Sequence, residues 1–151
     1  MKWRLTIELV PKTSWFSNVR SEVSEDDWGV LRRRCYREAD YKCEICGGKG
    51  DSHPVECHEV WSYDDTSHIQ KLVRLIALCP RCHETKHIGL AGIKGREDVA
   101  IEHLAKVNNV SLNVARKCVE MAFETWQERS EFQWTLDLSY LDDLGISYKK
   151  R

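Results

Sequence analysis

Four of the seven cysteines fall in two C-x-x-C pairs, Cys43/Cys46 and Cys79/Cys82. Two pairs of soft sulfur donors at this spacing suit a tetrahedral zinc ion with Zn–S bonds of about 2.3 Å. With all four positions filled by protein there is no place for water, so the ion would be structural and would tie together the segments that carry the pairs. The 32 residues between the pairs exceed the spacer of a simple zinc ribbon and must hold a folded unit of their own. Histidine is concentrated next to the second pair. His83 and His87 are four apart, on one face of a short helix, where a divalent metal can bridge them. His58 lies on a strand-like stretch that the fold can bring opposite that helix. Cys35 and Cys118 have no partner at ligand spacing and read as core residues, and His53, His68 and His103 read as surface or structural residues.

Patterning supplies the elements that must position these donors. Trp3, Leu5, Ile7 and Leu9 alternate with polar residues, predicting an N-terminal strand closed by Pro11. Residues 12–22 lack a period and read as a loop, with Trp15 and Phe16 anchoring it to the core. Ser24 predicts a helix start, with Trp28, Leu31, Cys35 and Ala39 on one face and Arg32, Arg33, Arg34 and Arg37 displaced from it. Gly47 and Gly48 permit the tight turn of the first thiolate pair. Strands are predicted at 55–61 and 72–78 with a loop over 62–67, then a short helix over 82–88 stopped by Gly89 and the glycines at 92 and 95. Helical periodicity resumes over 96–107 and 112–130. The alternation of Phe132, Trp134, Leu136 and Leu138 predicts a last strand, which shares a Trp-x-Leu pattern with the first and is expected to pair with it. The result is a single α+β domain over 1–151, with residues 96–151 as a helical annex ending in a strand.

At 42% apolar and 31% charged residues the chain has the composition of an ordinary globular protein, which excludes disorder and collagen-like fibre. No apolar run reaches the roughly 18 residues of a membrane span, and the first ten residues lack the features of a signal peptide. A cytoplasmic setting with reduced thiols, and no membrane partner, is the expectation. The net charge of −1 gives no long-range attraction to phosphate, but its distribution is uneven. Between residues 70 and 96 lie Lys71, Arg74, Arg81, Lys86, Lys94 and Arg96 against Glu84 alone, a local excess of five positive charges, and the arginines at 32, 33, 34 and 37 form a second cluster. Such residues can hold a nucleic-acid backbone without reading its sequence.

Three stretches together resemble the HNH endonuclease family in its four-Cys zinc form: the first C-x-x-C, then Glu56-Cys57-His58-Glu59-Val60, then Leu78-Cys79-Pro80-Arg81-Cys82-His83 with His87. The resemblance covers residues 28–90 and implies a ββα-metal (His-Me finger) core stapled by the Cys43/Cys46/Cys79/Cys82 zinc site. It implies metal-dependent hydrolysis of phosphodiester bonds in DNA, mainly double-stranded. His58 matches the general base, and His83 and His87 match positions for a catalytic Mg²⁺, Mn²⁺, Ni²⁺ or Zn²⁺ ion. Lys71, Arg74, Arg81, Lys86, Lys94 and Arg96 would hold the DNA backbone. Two positions depart from the family pattern. Cys57 stands where a hard metal ligand is common before the base, and Arg74 stands where the family has its central Asn, with Gln70 as a substitute only if the loop is shifted. Glu56 and Glu59 flank His58 and can orient it or remain solvated.

Two other readings follow from the same residues. His83-Glu84-Thr85-Lys86-His87 satisfies H-E-x-x-H, the zinc-protease helix, although Gly89 ends that helix early and no third ligand is recognisable downstream. Cys57 and Arg74 also fit a non-catalytic zinc-stapled module that binds DNA or protein.

Overall fold

The computed structural model describes residues 2–149. Its helices are α1 (Val19–Glu22), α2 (Glu25–Glu38), α3 (Pro80–Lys86), α4 (Ile88–Ile93), α5 (Glu97–Asn108) and α6 (Leu112–Arg129), and its strands are β1 (Glu56–Asp64), β2 (Ile69–Leu78) and β3 (Thr135–Asp137). The fold is α+β. β1 and β2 form a long antiparallel hairpin in which His58 stands opposite Ile76, and β3 adds a short parallel edge to the start of β2. Helices cover both faces of the hairpin. Ile76 and Leu78 face a core shared with Leu5, Ile88, Ala100 and Leu104, whereas Leu75 and Ala77 face one shared with Val19, Leu31, Cys35, Leu138 and Leu141. Burial on both faces explains why residues 75–78 form an unbroken apolar run in the sequence rather than an alternating one.

The helix starts follow local chemistry. Ser24 accepts from the Asp27 amide, Ser111 from the Val114 amide, and Cys79 caps α3 with Pro80 in its first turn. The helix after Cys82 does not stop at Gly89. His87 leaves helical geometry at φ −104° and ψ 48°, α4 then resumes through Gly89 and Gly92, and the chain turns only at Gly95, with φ +72°. Glycine permits a stop but does not impose one; here the left-handed residue is the third of the three.

The N-terminal segment corrects two expectations. Its alternation is real, since Leu5 and Ile7 are buried, but it forms no strand and does not pair with β3. The segment runs instead along the helical annex, where side chains take over its backbone groups. The amides of Arg4 and Leu5 donate to Asn108 Oδ1 at 2.7 and 3.1 Å, Asn108 Nδ2 donates to Leu5 O at 2.9 Å, and Trp126 Nε1 donates to Val10 O at 3.0 Å. Asn108→Ala is expected to cost about 3 kcal/mol, because it leaves buried backbone groups of Leu5 without partners. A lower urea midpoint with an unchanged slope checks this. Trp15 and Phe16 do not anchor their loop: they are 66% and 60% exposed, and Val19 is the residue that reaches the core.

Candidate metal centres

The first thiolate pair is held against β2 by the residue between its cysteines. The Glu44 amide donates to Ala77 O at 2.9 Å, the Ala77 amide returns a bond to Glu44 Oε2 at 2.7 Å, and Arg74 Nη2 donates to Glu44 Oε1 at 2.6 Å. Arg74 thus braces the first pair onto the hairpin rather than facing solvent as a free cation. The second pair sits at the end of β2 and the start of α3, so the strand exit and the helix cap bring all four sulfurs together.

Several observations test whether these four residues fit an ion. Their sulfurs lie within 4.8 Å of one another. Cys46 and Cys79 are 3.6 Å apart, against about 3.8 Å for the edge of a tetrahedron with 2.3 Å bonds. Backbone amides of Cys46, Gly48 and Cys82 point at the sulfurs of Cys43, Cys46 and Cys79 at 3.4–3.5 Å, the arrangement that stabilises thiolates. Sulfurs this close cannot all carry charge unaided. Hydrogen bonding from Cys82 pulls the Cys43 thiol down to about 4, the same contact pushes Cys82 up, and burial pushes Cys79 up to about 11. A divalent cation removes that conflict, so the donor set fits zinc or a similar soft ion. Sequence reasoning missed one contributor: His103 on α5 places Nε2 3.2 Å from Cys82 Sγ and so ties the annex to the thiolate cluster. No spacing rule reaches 21 residues along the chain to pair those two.

A second cluster lies on the adjoining surface of α3. His58 comes from β1, His83 from the middle of α3, and His87 from its end; each offers a ring nitrogen within 4.8 Å of the others. Ring centroids are 5.3 Å apart for His58–His83, 5.2 Å for His58–His87 and 4.7 Å for His83–His87. Glu56 fixes the orientation. Its Oε1 accepts from His83 Nδ1 at 2.9 Å, which turns the His83 Nε2 lone pair toward His87 Nε2, 3.0 Å away. Two nitrogens bound at right angles to one ion by bonds of about 2.1 Å would stand about 3.0 Å apart. The other Glu56 oxygen bonds His53 Nε2 at 2.9 Å, so His53 is a neighbour of the cluster rather than an unrelated surface residue. Glu56 is itself held below the usual carboxylate range by these two histidines, against the opposing effect of its own burial. His58 is driven down to about 2, and His87 to about 4, in each case first by burial and then by the neighbouring rings. These imidazoles are therefore neutral at pH 7, with lone pairs available. Glu56→Gln is expected to weaken a metal at His83 and His87 by 10- to 100-fold, as loss of a carboxylate partner to a ligating histidine does elsewhere. Titration calorimetry with Mn²⁺ or Ni²⁺ on zinc-loaded protein would register the change.

Cys57 does not join this cluster. Strand alternation turns it and Glu59 to the opposite face from His58, where Cys57 packs with Cys35 and Val55. Glu59 accepts from the Val19 amide at 3.2 Å and, being buried, is raised to about 7. Gln70 is fully buried, and its Oε1 accepts from Ser14 Oγ at 2.8 Å. Cys35 is buried as expected, Cys118 is half-buried, and His68 stacks on Phe132 at 4.2 Å. Half of the expected phosphate-binding cluster is paired with carboxylates. Arg74 pairs with Glu44, the buried Lys86 pairs with Glu8 at 2.9 Å, and Arg96 holds Glu84 at 2.5 and 3.1 Å, which leaves Lys71, Arg81 and Lys94. The linear count omits Glu8 and Glu44, which are remote in sequence from the cations they meet. The same Arg96 pair engages the Glu84 carboxylate that a protease mechanism would need.

No helix among the described residues is long and apolar enough to cross a membrane. No family model, curated protein or solved structure matches the chain.

Proposed function

We propose that the protein is a metal-dependent endonuclease of the HNH type, hydrolysing phosphodiester bonds in DNA. The observation that carries this reading is the convergence of His58, His83 and His87 on one surface built from a β-hairpin and the helix that follows it. The adjoining Cys43/Cys46/Cys79/Cys82 cluster would staple that ββα unit as a zinc site. His83 and His87 would hold the catalytic ion, with Glu56 keeping His83 in the tautomer whose Nε2 faces it. When bound, the ion supplies Lewis-acid stabilisation of the charge that develops on the scissile phosphate and the departing oxygen. His58, half-buried, would accept a proton from water as the water oxygen bonds to phosphorus and the P–O3′ bond breaks, and a solvent water would protonate the departing 3′ oxygen, leaving a 5′-phosphate and a 3′-hydroxyl.

Because its ring nitrogen lies within 4.8 Å of the other two, His58 also fits a third-ligand role. The two roles separate experimentally. As a base, His58→Ala lowers cleavage and leaves Mn²⁺ affinity intact; as a ligand, it lowers both. The primary test is plasmid nicking by zinc-loaded protein with Mg²⁺, Mn²⁺, Ni²⁺ or Zn²⁺. Metal-dependent nicking lost in both His58→Ala and His83→Ala supports the proposal. Duplex binding without nicking by any of these ions overturns it in favour of a non-catalytic zinc module.

A further inference from the structure

On the far side of β1 from the imidazoles, a cleft of about 600 Å³ opens between α1, α2 and the strand. Its walls carry two guanidinium groups, Arg20 and Arg32, and two aromatic rings, Trp28 and Tyr36. Among the described residues neither arginine has a carboxylate partner, in contrast to Arg74, Lys86 and Arg96 on the finger. Two carboxylates also line the cleft. Glu56 is committed to His53 and His83, which leaves Glu25 as the one uncommitted acid against two cations. Glu56 borders the cleft at the end of β1, while its carboxylate turns to the imidazole side and holds a candidate metal ligand, so the cleft and the candidate site flank the same stretch of strand.

We propose that this cleft binds an unpaired stretch of the DNA strand next to the scissile phosphate, with Arg20 and Arg32 on its phosphates and Trp28 and Tyr36 against its bases. The inference rests on the nuclease reading for the phrase "scissile phosphate", but its binding content stands apart from it. Duplex DNA keeps its base faces stacked and inaccessible, so aromatic rings inside a groove are useful only to nucleotides that have left the stack. Base stacking on aromatic rings combined with cationic phosphate contacts is the chemistry of single-strand recognition, and it tolerates any sequence. A substrate with a single-stranded flank, such as a tailed end, a flap or a gap, is therefore preferred over intact duplex.

The test measures equilibrium binding by fluorescence anisotropy, using zinc-loaded protein and no added divalent ion. The probes are a mixed-sequence 16-base-pair duplex, blunt or carrying a six-nucleotide single-stranded tail at either end. The expected result is about tenfold tighter binding of one tailed form. The double variant Arg20→Gln/Arg32→Gln should bring the tailed-to-blunt ratio close to one, and should make the slope of log affinity against log salt shallower by about 1.4, as for two lost phosphate contacts. Trp28 touches the core, so Trp28→Phe, which should keep the preference, accompanies Trp28→Ala, which should lose it, with zinc content as the check on folding. Equal binding of blunt and tailed duplex by the wild-type protein, or a preference that survives the double arginine variant, overturns the assignment. Nicking without tail preference refutes the cleft alone. Tail preference without nicking supports the cleft and refutes the hydrolytic reading.

Discussion

Cys82→Ser is expected to release the thiolate-bound ion and to abolish cooperative unfolding of the finger. Cys82 is fully buried, receives His103, and begins the segment whose next residue carries the first imidazole of α3. Structural zinc contributes on the order of 10 kcal/mol of apparent binding free energy in small zinc modules at pH 7, comparable to the whole stability of a typical domain. Losing one of four ligands removes much of that, and it leaves three clustered sulfurs, two of them buried, with no cation to offset their charge. The measurements are zinc content by elemental analysis, expected to fall from one ion per chain to below 0.1 (order of magnitude, from the same binding energies), and a denaturant transition that broadens or disappears. A strong chelator should act on the wild-type protein in the same way. His103→Ala provides the graded case. It removes a hydrogen bond to sulfur but no ligand, so zinc should remain bound with reduced affinity. Full retention of zinc and of a sharp transition in Cys82→Ser would mean that the four sulfurs form an ordinary thiol cluster.

His58→Ala is expected to lower the rate of plasmid nicking by 10²- to 10⁴-fold, the usual contribution of a positioned general base, equivalent to about 3–5 kcal/mol of barrier. The substitution should leave zinc content and the unfolding midpoint close to wild type, because His58 lies outside the thiolate cluster and Glu56 orients His83 without it. His83→Ala should be at least as damaging, since it removes a candidate ligand and strands Glu56 with His53 alone. A His58→Ala protein that nicks at the wild-type rate would remove the general base from the proposal. The contrast with Cys82→Ser is the useful feature: one substitution should leave the fold and remove the chemistry, whereas the other should remove the fold.

The thiolate centre was legible because its donors lie in two local C-x-x-C turns, whose backbone geometry is determined within a few residues, and because β2 delivers the second pair directly to a helix cap. The longer helices were legible for the same reason, whereas α1 lies in a stretch read as a loop and α4 runs through glycines read as a stop. Ser24 marks a start through a bond that spans three residues. His83 and His87 met as helical spacing requires. Patterning failed where partners were remote. The N-terminal alternation correctly marked Leu5 and Ile7 as buried, but a two-residue period says which face is covered and nothing about what supplies the hydrogen bonds; Asn108, over a hundred residues away, supplied them. Trp15 and Phe16 were read as anchors from their size alone, yet each lies on the surface.

By itself the sequence determined the donor types, their pairing into knuckles, the hairpin and the helix that follows, all consequences of interactions within a few residues or of strand alternation. The tertiary structure alone decided that His53 and His103 border the two clusters, that Glu56 meets His83, and that Glu8 and Glu44 pair with cations that a linear count had assigned to phosphate. Coulombic and hydrogen-bonding partners are chosen by distance in space, and distance in space follows from how the two cores close on either face of the hairpin.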